Sequence, residues 1–557
     1  MASNVSPGVY TRLIDLSSYL EDIPGSVGFI PFLSRRGPDN VLTYVTGLQD
    51  FADKYNKPNI NDYGKSYGQG TYIAWNHIKV SPSLYCMRAL PADATYSNLF
   101  INFDSDPGQD PRFTVTHETS ANTVSELDTA LAAQSGNVFP LMYFYPEGRG
   151  DSYNDFAITI AAHANTNLDD IYVIDIWETQ ADGDDVIIES FEVSFEKDIV
   201  DDSGDSLWIE DVINKFSKWV KVVVNEDHLN TWVGDPVEIA IGDSTSPIHL
   251  DGGSEGSLVT VDGTTGRRVV DSTTADAALS AAYTGTSVNP VNGIAEGSVL
   301  DVDDIYFSLV YDGGYPSNVK SSIHTLVNDL RLDCVAIVDN NDNTTAAATL
   351  TARNDTHTWD SKYMSIFEPY SKVNDIHTGR DIWFSPVFHM ANMIPLNDRL
   401  YEIWYPNAGF NRASISDIKE LRYNANLSQR DSLHLKQINP IVKFSTGYTV
   451  WGNKTTQKKP SSLQDLHIIR LVMYIKRALE QYLKFYTFEF NDAETWNAVE
   501  NAIRPFLEDI KKSRGLESFN ISVGSTEYEK KRKIIHVDVE LVPTKAIERI
   551  ELNLYIK

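Results

Sequence analysis

The charge of this sequence is so unevenly distributed that it divides the chain into segments before any motif is considered. Residues 101–300 hold 36 acidic and only 8 basic side chains, a net charge of −28, while the whole chain of 557 residues carries −30. A segment with that much self-repulsion is kept soluble by its charge and is expected to face solvent. We therefore expect residues 101–300 to lie on the outside of a chain long enough for two to four domains.

Short β-like runs fill the acidic segment. FTVTHET, DIYVIDIWE, DVIIESFEVSFE and KWVKVVV are separated by clusters of Asp, Gly, Ser and Asn. Phe191, Val193 and Phe195 alternate with polar residues, which is the pattern of a half-buried strand. The segment is predicted to be a β-rich insertion of one or two domains, with looser Gly/Ser/Thr-rich chain from 251 to 298.

The segments before and after the insertion have a mixed α/β pattern. Strands are predicted over residues 27–33 and 83–90, and short helices over 51–55 and 72–78. From 301 the order is strand, helix and strand, over residues 305–310, 319–330 and 334–338. The last strand, CVAIV, is a continuous apolar run, as is typical of a parallel sheet covered on both faces.

The C-terminal residues 431–557 show the clearest helical periodicity. A helix is predicted after the capping sequence around Ser461, and a second from Asn491 to a stop at Gly515, with a kink at Pro505. Two strands follow. The second reaches the last residue, so one of its edges is expected to be open to another chain. Its apolar face is formed by Ile550, Leu552, Leu554 and Ile556.

The first 22 residues are predicted to form an extended arm. They contain apolar residues without enough neighbours for a local core, and Pro7 excludes a helix there. Such a segment either extends into solvent or finds its partners on another surface. The residues expected to make those contacts are Val5, Pro7, Gly8, Val9, Leu13 and Leu16.

Motifs that would indicate an enzyme are missing from the sequence. It has no GxGxxG after a strand, no GxxxxGK[ST], no HExxH and no GxSxG. Residues 339–343 resemble a calcium loop but lack its Gly and terminal Glu. Asp202-Ser203-Gly204 and Gly285-Thr286-Ser287 resemble subtilisin motifs, but the HG-x-H helix start between them is absent, so no base is placed on the hydroxyl. We expect no catalytic site, no metal and no cofactor.

The sequence also limits the classes of partner. The one basic cluster, Lys530 to Lys533, is flanked by Glu527 and Glu529 and has no aromatic platform, which argues against nucleic-acid binding. No stretch approaches the roughly 18 apolar residues of a membrane span, so no membrane insertion is expected. Two cysteines, Cys86 and Cys334, fit a reducing cytoplasm.

Two series of motifs occur in a fixed order at the ends of the chain. The N-terminal series is SPGVYTRLIDLSS and IPGSVGFIPFLSRRGPDN; the C-terminal series is VWGNKT, LHIIRLVMYIKRAL, FEFNDAETWNAVENAIRPFL and VDVELVPTKAIERIELNLYI. Together they resemble the contractile tail sheath proteins of myovirus-type bacteriophages, over residues 1–100 and 301–557. The acidic segment shows no such resemblance.

The resemblance implies a multidomain fold of α/β and β parts. Residues 1–22 would be an N-terminal linking arm, and residues 23–100 with 301–430 a discontinuous α/β core of subtilisin-like shape without a protease role. Residues 101–300 would be the outer insertion. Residues 431–557 would form an α+β inner domain next to a tail tube, with a terminal linking strand.

The resemblance also implies a non-enzymatic structural subunit of a virion, assembled in the host cytoplasm. Copies would stack as hexameric rings around a tail tube protein, meet baseplate and tail terminator proteins, and contract to drive the tube through the host envelope. The arm and the terminal strand would add to sheets of neighbouring subunits. The basic residues that would face an acidic tube are Lys511, Lys512, Arg514, Lys530, Lys531, Arg532 and Lys533.

Two alternatives stay open at this stage. The acidic segment could bind or degrade surface glycans, because its many carboxylates could include a catalytic pair. The chain could also form the sheath of a phage-derived contractile particle such as a tailocin.

Overall fold

A computed structural model describes residues 26–109, 111–164, 170–180, 182–201, 203–232, 239–261, 268–285 and 298–551. The strands are β1 (Gly28–Phe32), β2 (Thr43–Val45), β3 (Leu84–Arg88), β4 (Leu99–Asp104), β5 (Phe113–Thr116), β6 (Val138–Pro146), β7 (Phe156–Ala162), β8 (Tyr172–Thr179), β9 (Asp185–Val193), β10 (Val220–Val224), β11 (Ile248–His249), β12 (Val259–Val261), β13 (Arg268–Val270), β14 (Leu309–Tyr311), β15 (Val335–Asp339), β16 (Met364–Glu368), β17 (Ser371–Asn374), β18 (Asp381–Phe384), β19 (Ser414–Ile415), β20 (Ile418–Leu421), β21 (Ile438–Phe444), β22 (Gly447–Val450), β23 (Leu516–Gly524) and β24 (His536–Pro543).

The described residues also form fourteen α-helices. They are α1 (Leu48–Tyr55), α2 (Ile60–Tyr67), α3 (Gly70–Ile78), α4 (Val124–Leu131), α5 (Ile209–Phe216), α6 (Glu226–Trp232), α7 (Ser272–Thr284), α8 (Ser317–Thr325), α9 (Ala346–Asp355), α10 (Val387–Leu400), α11 (Leu427–Leu435), α12 (Leu466–Lys484), α13 (Ala493–Lys512) and α14 (Glu527–Lys531). In the described ranges, no helix has the length and apolar character needed to cross a bilayer.

A nine-stranded sheet forms the centre of the fold, in the order β19-β22-β21-β16-β15-β14-β1-β3-β2. Its six inner strands, from β21 to β3, are parallel, and the outer strands pair antiparallel. The predicted strands at both ends of the chain lie in this one sheet. The mixed α/β multidomain class is therefore confirmed.

Both faces of the central sheet are covered, which explains its apolar runs. In β15, Val335 and Ile337 belong to the core on one face, with residues of α3, α10 and α12. Ala336 and Val338 belong to the core on the other face, with residues of α7, α8 and α11. A strand buried on both sides needs no polar alternation, as the CVAIV run predicted.

The strands between residues 99 and 250 form two antiparallel sheets, in the orders β10-β6-β4-β5 and β11-β7-β8-β9. A single hydrophobic core contains residues of both. The four runs predicted as β-like contribute β5, β8, β9 and β10. Val193 and Phe195 are buried and Phe191 is partly buried against that core.

Two isolated bridges join the chain where it enters and leaves these sheets. Thr95 pairs with Ser254 and Asn98 with Asp251, and the backbone N–H of Thr95 donates to the Ser254 carbonyl over 2.9 Å. We call these four residues the neck. The neck places the entering and leaving chains side by side.

The fully buried Arg88 crosslinks the central sheet to the chain beyond the neck. Its guanidinium donates to the carbonyls of Ser34, Gly37 and Arg149, over 2.6 to 3.1 Å. Arg149 in turn forms an ion pair with Asp39 at 2.6 Å. A buried guanidinium needs such partners, so these bonds fix the position of the inserted sheets at the neck.

The expectation of looser chain from 251 to 298 is wrong over α7. Asp271 caps this helix by accepting from the Thr274 N–H over 2.8 Å, and Gly285 ends it in the left-handed conformation. The buried Leu279 and Tyr283 pack in the core of the central sheet, with the Tyr283 ring 5.9 Å from that of Phe29. The helix lies in sequence within the acidic segment, but it packs on the central sheet.

The C-terminal residues form the two long helices α12 and α13 and the hairpin of β23 and β24. The predicted stop at Gly515 is wrong by one residue, since Arg514 takes the left-handed conformation, with φ +70°. The second predicted closing strand is not seen in its described part, because residues 544–551 have no strand. Residues 552–557 lie outside the described ranges.

Candidate assembly surface

The hairpin of β23 and β24 offers edges on which another strand could pair. The two strands pair from Leu516 with Pro543 to Gly524 with His536. Among the described residues, no third strand joins either one. Unpaired main-chain groups along a strand edge are a template for a strand from another chain.

One face of the hairpin already packs against other residues of the same chain. Val537, Val539 and Leu541 pack with the core that contains α13, while Asp538 and Glu540 are exposed on the other face. This alternation matches the predicted first closing strand. An added strand would therefore extend the sheet at its edge and could lengthen the apolar face that covers α13.

The residues predicted to link subunits lie mostly outside the described part of the chain. This holds for Val5, Pro7, Gly8, Val9, Leu13 and Leu16 of the arm and for Leu552, Leu554 and Ile556 of the terminal strand. Ile550 is described and is 84% exposed.

The seven predicted tube-facing residues form two groups. Lys511, Lys512 and Arg514 lie just before β23, and residues 530–533 lie between β23 and β24 at its far end. The nine residues of β23 separate the groups, by about 30 Å of extended chain. The structure does not unite them in one patch.

Nearby groups partly neutralise both basic groups. Lys512 pairs with Asp509 at 2.9 Å and Lys530 with Glu527 at 3.1 Å. The Lys530 ammonium also lies 5.0 Å from the centre of the Trp496 ring. This aromatic contact was not predicted from the sequence, because Trp496 lies in a different element, α13.

An exposed aromatic loop between α12 and α13 was not singled out in the sequence, although two of its rings, Phe488 and Phe490, lie in the FEFND motif. Phe485, Phe488 and Phe490 are 81%, 103% and 83% exposed. Phe488 has φ +77°, which is rare for a bulky residue. Three exposed rings in six residues form an apolar surface of the kind found at interaction sites.

Buried charges occupy the carboxyl ends of the central strands. Lys320 of α8 places its ammonium 2.6 Å from Asp339 and 3.5 Å from Asp312. All three side chains are fully buried. Asp339 also accepts from the hydroxyls of Tyr370 and Ser385. This carboxylate at the start of the calcium-like sequence thus has a protein cation as its partner. Among the described residues, no group of His, Cys, Asp and Glu is arranged to hold a metal.

Ser317, His357 and Asn340 form a hydrogen-bonded array that resembles a serine hydrolase triad. The Asn340 amide donates to the Thr349 carbonyl over 2.7 Å, so its oxygen accepts from His357 Nδ1. The Ser317 hydroxyl then donates to His357 Nε2 over 2.9 Å. However, His357 has no exposed surface and its ring stacks on Trp359 at 4.5 Å. Because no substrate can reach this imidazole, we interpret the array as structural.

The subtilisin-like tripeptides do not assemble a site in the described residues. Asp202, Thr286 and Ser287 lie outside the described ranges, and Gly285 is the C-cap of α7. His249, the histidine with a loop context between the two tripeptides, is 42% exposed at its side chain and lies 3.5 Å from Asp185.

Sequence comparison links the chain to tail sheath proteins. It is 28% identical over 188 residues to the tail sheath protein of Vibrio phage KVP40, covering 33% of this chain and 27% of that protein. It is 26% identical over 158 residues to the tail sheath protein of Enterobacteria phage T4, covering 28% of this chain and 23% of that protein. About a third of the chain is thus similar in sequence to myovirus tail sheath proteins. The matched segment spans about a quarter of these sheath proteins, and no protein-family model matches the chain.

Solved sheath structures share the fold over nearly the whole chain. The sheath tail protein of Listeria innocua has a TM-score of 0.55 at 9% identity, covering 94% of this chain and 92% of that one. The sheath tail protein of Desulfitobacterium hafniense has a TM-score of 0.52 at 11% identity, covering 97% and 98%. At these identities the likeness shows a shared fold alone.

Proposed function

We propose that the chain is a non-enzymatic structural subunit of a contractile phage tail sheath and resides in the virion. Its copies would stack as hexameric rings around a tail tube, between baseplate and tail terminator proteins, after assembly in the host cytoplasm. The observation that carries the proposal is the hairpin of β23 and β24, which has both edges unpaired among the described residues. Homology to tail sheath proteins supports it.

Subunits would be joined by β-augmentation at this hairpin. The N-terminal arm of one neighbour and the terminal strand of another would each pair with an outer edge, one at β23 and one at β24. Main-chain hydrogen bonds would supply the link whatever the side chains are. The chain between the added strand and its own body would let the bodies reorient while the links persist.

Contraction would use energy stored in the arrangement of subunits. The extended sheath would be metastable, and the contracted sheath would bury more interface between bodies. A difference in buried interface is enough to favour one state, and it requires no nucleotide. This agrees with our interpretation of the Ser317 array as structural.

The contact with the tube would be weak and sensitive to salt. Lys511, Lys512 and Arg514 at one end of the hairpin, and residues 530–533 at the other, would face an acidic tube surface. Exposed charge pairs of this kind are screened by salt, which suits a sheath that must slide along its tube. Double charge reversals that leave sheath–tube assembly unchanged would remove this part of the proposal.

Negative-stain electron microscopy of the purified chain over a concentration series tests the main proposal. We expect striated hollow tubules that disappear when residues 1–22 are deleted. If only single particles form, the matching tube protein is added as a template. Single particles in its presence as well would refute the proposal.

A further inference from the structure

After β24 the chain turns back onto its own body, and the Glu548 side chain makes the ion-pair contacts that hold it there. The N–H of Thr544 donates to the Gly515 carbonyl over 3.1 Å. Beyond it, Ile547 and Ile550 are 82% and 84% exposed. Glu548 lies between them and meets Lys454 with its Oε1 2.7 Å from Nζ. We call residues 544–551 the tail root.

Lys454 is held ready for this contact by the turn of the VWGNKT motif. Its N–H donates to Asn439 Oδ1 over 2.7 Å, and its carbonyl accepts from Asn439 Nδ2 over 2.8 Å. Asn439 is fully buried. At Gly452, a Cβ would lie 2.7 Å from Asn439 Oδ1, so the turn requires glycine there. The motif therefore builds a rigid support for one lysine.

The ammonium of Lys454 lies between two carboxylates. Asp465, which precedes α12, is 2.7 Å away on one side, and Glu548 is 2.7 Å away on the other. The Lys454 side chain is only 13% exposed. Burial alone would lower the pKa of this amine, but the bonds to Asp465 and Glu548 raise it. His434 adds a weaker contact, 3.8 Å from Glu548.

We propose that Lys454 is a positioning residue that binds Glu548 and so fixes where the C-terminal strand leaves the body. This inference rests on the proposed function, in which that strand joins a neighbour. With the contact made, the tail root is anchored to the body as far as Glu548; without it, the last anchor before the tail root is the Thr544 N–H. A shorter free segment loses less conformational freedom when it adds to another sheet.

Hydrogen exchange of the full-length chain tests the contact without requiring assembly. In Glu548→Gln, the amides of residues 545–551 should exchange about two- to fivefold faster, the range that matches a partly exposed ion pair. The matched control is Glu551→Gln, which removes a carboxylate of the same segment. The ion pair of Glu551 is with Arg549, at 2.9 Å, and both residues belong to the tail root. Among the described residues, removing it breaks no ion pair to the body, so exchange in 545–549 should stay at the wild-type rate. Wild-type exchange in Glu548→Gln, or equal acceleration in Glu551→Gln, would overturn the proposal.

A double-mutant cycle shows whether the two residues act together. Lys454→Met alone should accelerate exchange of the tail root as Glu548→Gln does, and the double variant should exchange no faster than the faster single variant. Multiplied effects would refute a shared contact.

Assembly then separates this inference from the proposed function. If the wild type forms tubules, Glu548→Gln should need about two- to fivefold more protein to form them, whereas Glu551→Gln should assemble as the wild type does. Equal assembly of Glu548→Gln and wild type would overturn the positioning role. If the wild type forms no tubules even with tube protein, the proposed function fails, while the exchange result still decides whether Lys454 binds the tail root.

Discussion

Replacing Lys320 by Met should be among the most damaging single changes in the central sheet. Its ammonium is the cation between Asp312 and Asp339, and all three side chains are fully buried. Burial raises the pKa of Asp312, whereas bonds from Lys320 and Ser385 outweigh burial and lower that of Asp339. Asp339 therefore carries the charge that balances Lys320.

The expected loss follows from what the substitution leaves behind. A buried carboxylate without its cation costs about 3–5 kcal/mol of unfolding free energy. The loss should shrink in acid, because the carboxylate pKa values of the variant lie above those of the unfolded chain. Stability gained by protonation is then present at low pH and lost as pH rises. The variant should be less destabilised at pH 5 than at pH 7.

Hydrogen exchange of β14 and β15 in a urea series reports this free energy locally, which matters because a multidomain chain need not unfold in one step. Lys476→Met is the matched control. Its exposed pair with Glu480 spans 3.6 Å, so it should change stability by less than about 0.5 kcal/mol. Adding Asp339→Asn to Lys320→Met should recover part of the loss. A Lys320→Met loss below about 1 kcal/mol, or one that grows in acid, would contradict the role assigned to these charges.

Other substitutions test other parts of the structure. Arg470→Met should cost about 3–5 kcal/mol in urea unfolding, because Arg470 is buried in an ion pair with Asp398 that joins α12 to α10; a loss near zero would show that the pair is not needed. Burial lowers the pKa of His77 to about 4. The stability that neutral His77 contributes is therefore complete above pH ~6.5 and falls by up to about 3 kcal/mol toward pH 4. His77→Gln should flatten the curve of unfolding free energy over that range, and an unchanged slope would contradict this. A fluorophosphonate probe should leave Ser317 unlabelled in mass spectrometry, and labelling would reopen an enzymatic role. Phe488→Ser should reduce binding of a hydrophobic dye with less than about 0.5 kcal/mol change in stability; unchanged dye binding would mean that the exposed aromatic loop is not the surface the dye detects.

The parts of the fold that sequence predicted are those with local periodicity. CVAIV is an uninterrupted apolar run, and the two long C-terminal helices keep one periodicity over many residues. Neighbours in sequence therefore suffice to assign all three. Helix α7 was missed because the Gly/Ser/Thr-rich composition around it indicated loose chain. Its helix rests on alanines, on the Asp271 cap and on packing against the central sheet, and only the first two of these are local.

The candidate site was harder to predict because its important charges are defined by distant partners. In the sequence, Lys320 looks like an ordinary polar residue of a helix. Its burial depends on Asp312 and Asp339, which belong to other parts of the fold. Lys454 lies 94 residues before Glu548 in the numbering, so no local pattern relates them. The basic residues near the C-terminus were found by composition, but only the fold shows that β23 separates them into two groups.

The neck is a position at which the fold could accept a different domain. Because Thr95 and Asn98 pair directly with Ser254 and Asp251, the chain leaves the body and returns to it at adjacent positions. Residues 99–250 can then be treated as a module, which the body holds at the neck and through the contacts of Arg88 and Asp39 with Arg149. A foreign domain with neighbouring ends, such as a fluorescent protein or an affinity domain, could be grafted at the neck if it also supplies an acceptor for the buried Arg88.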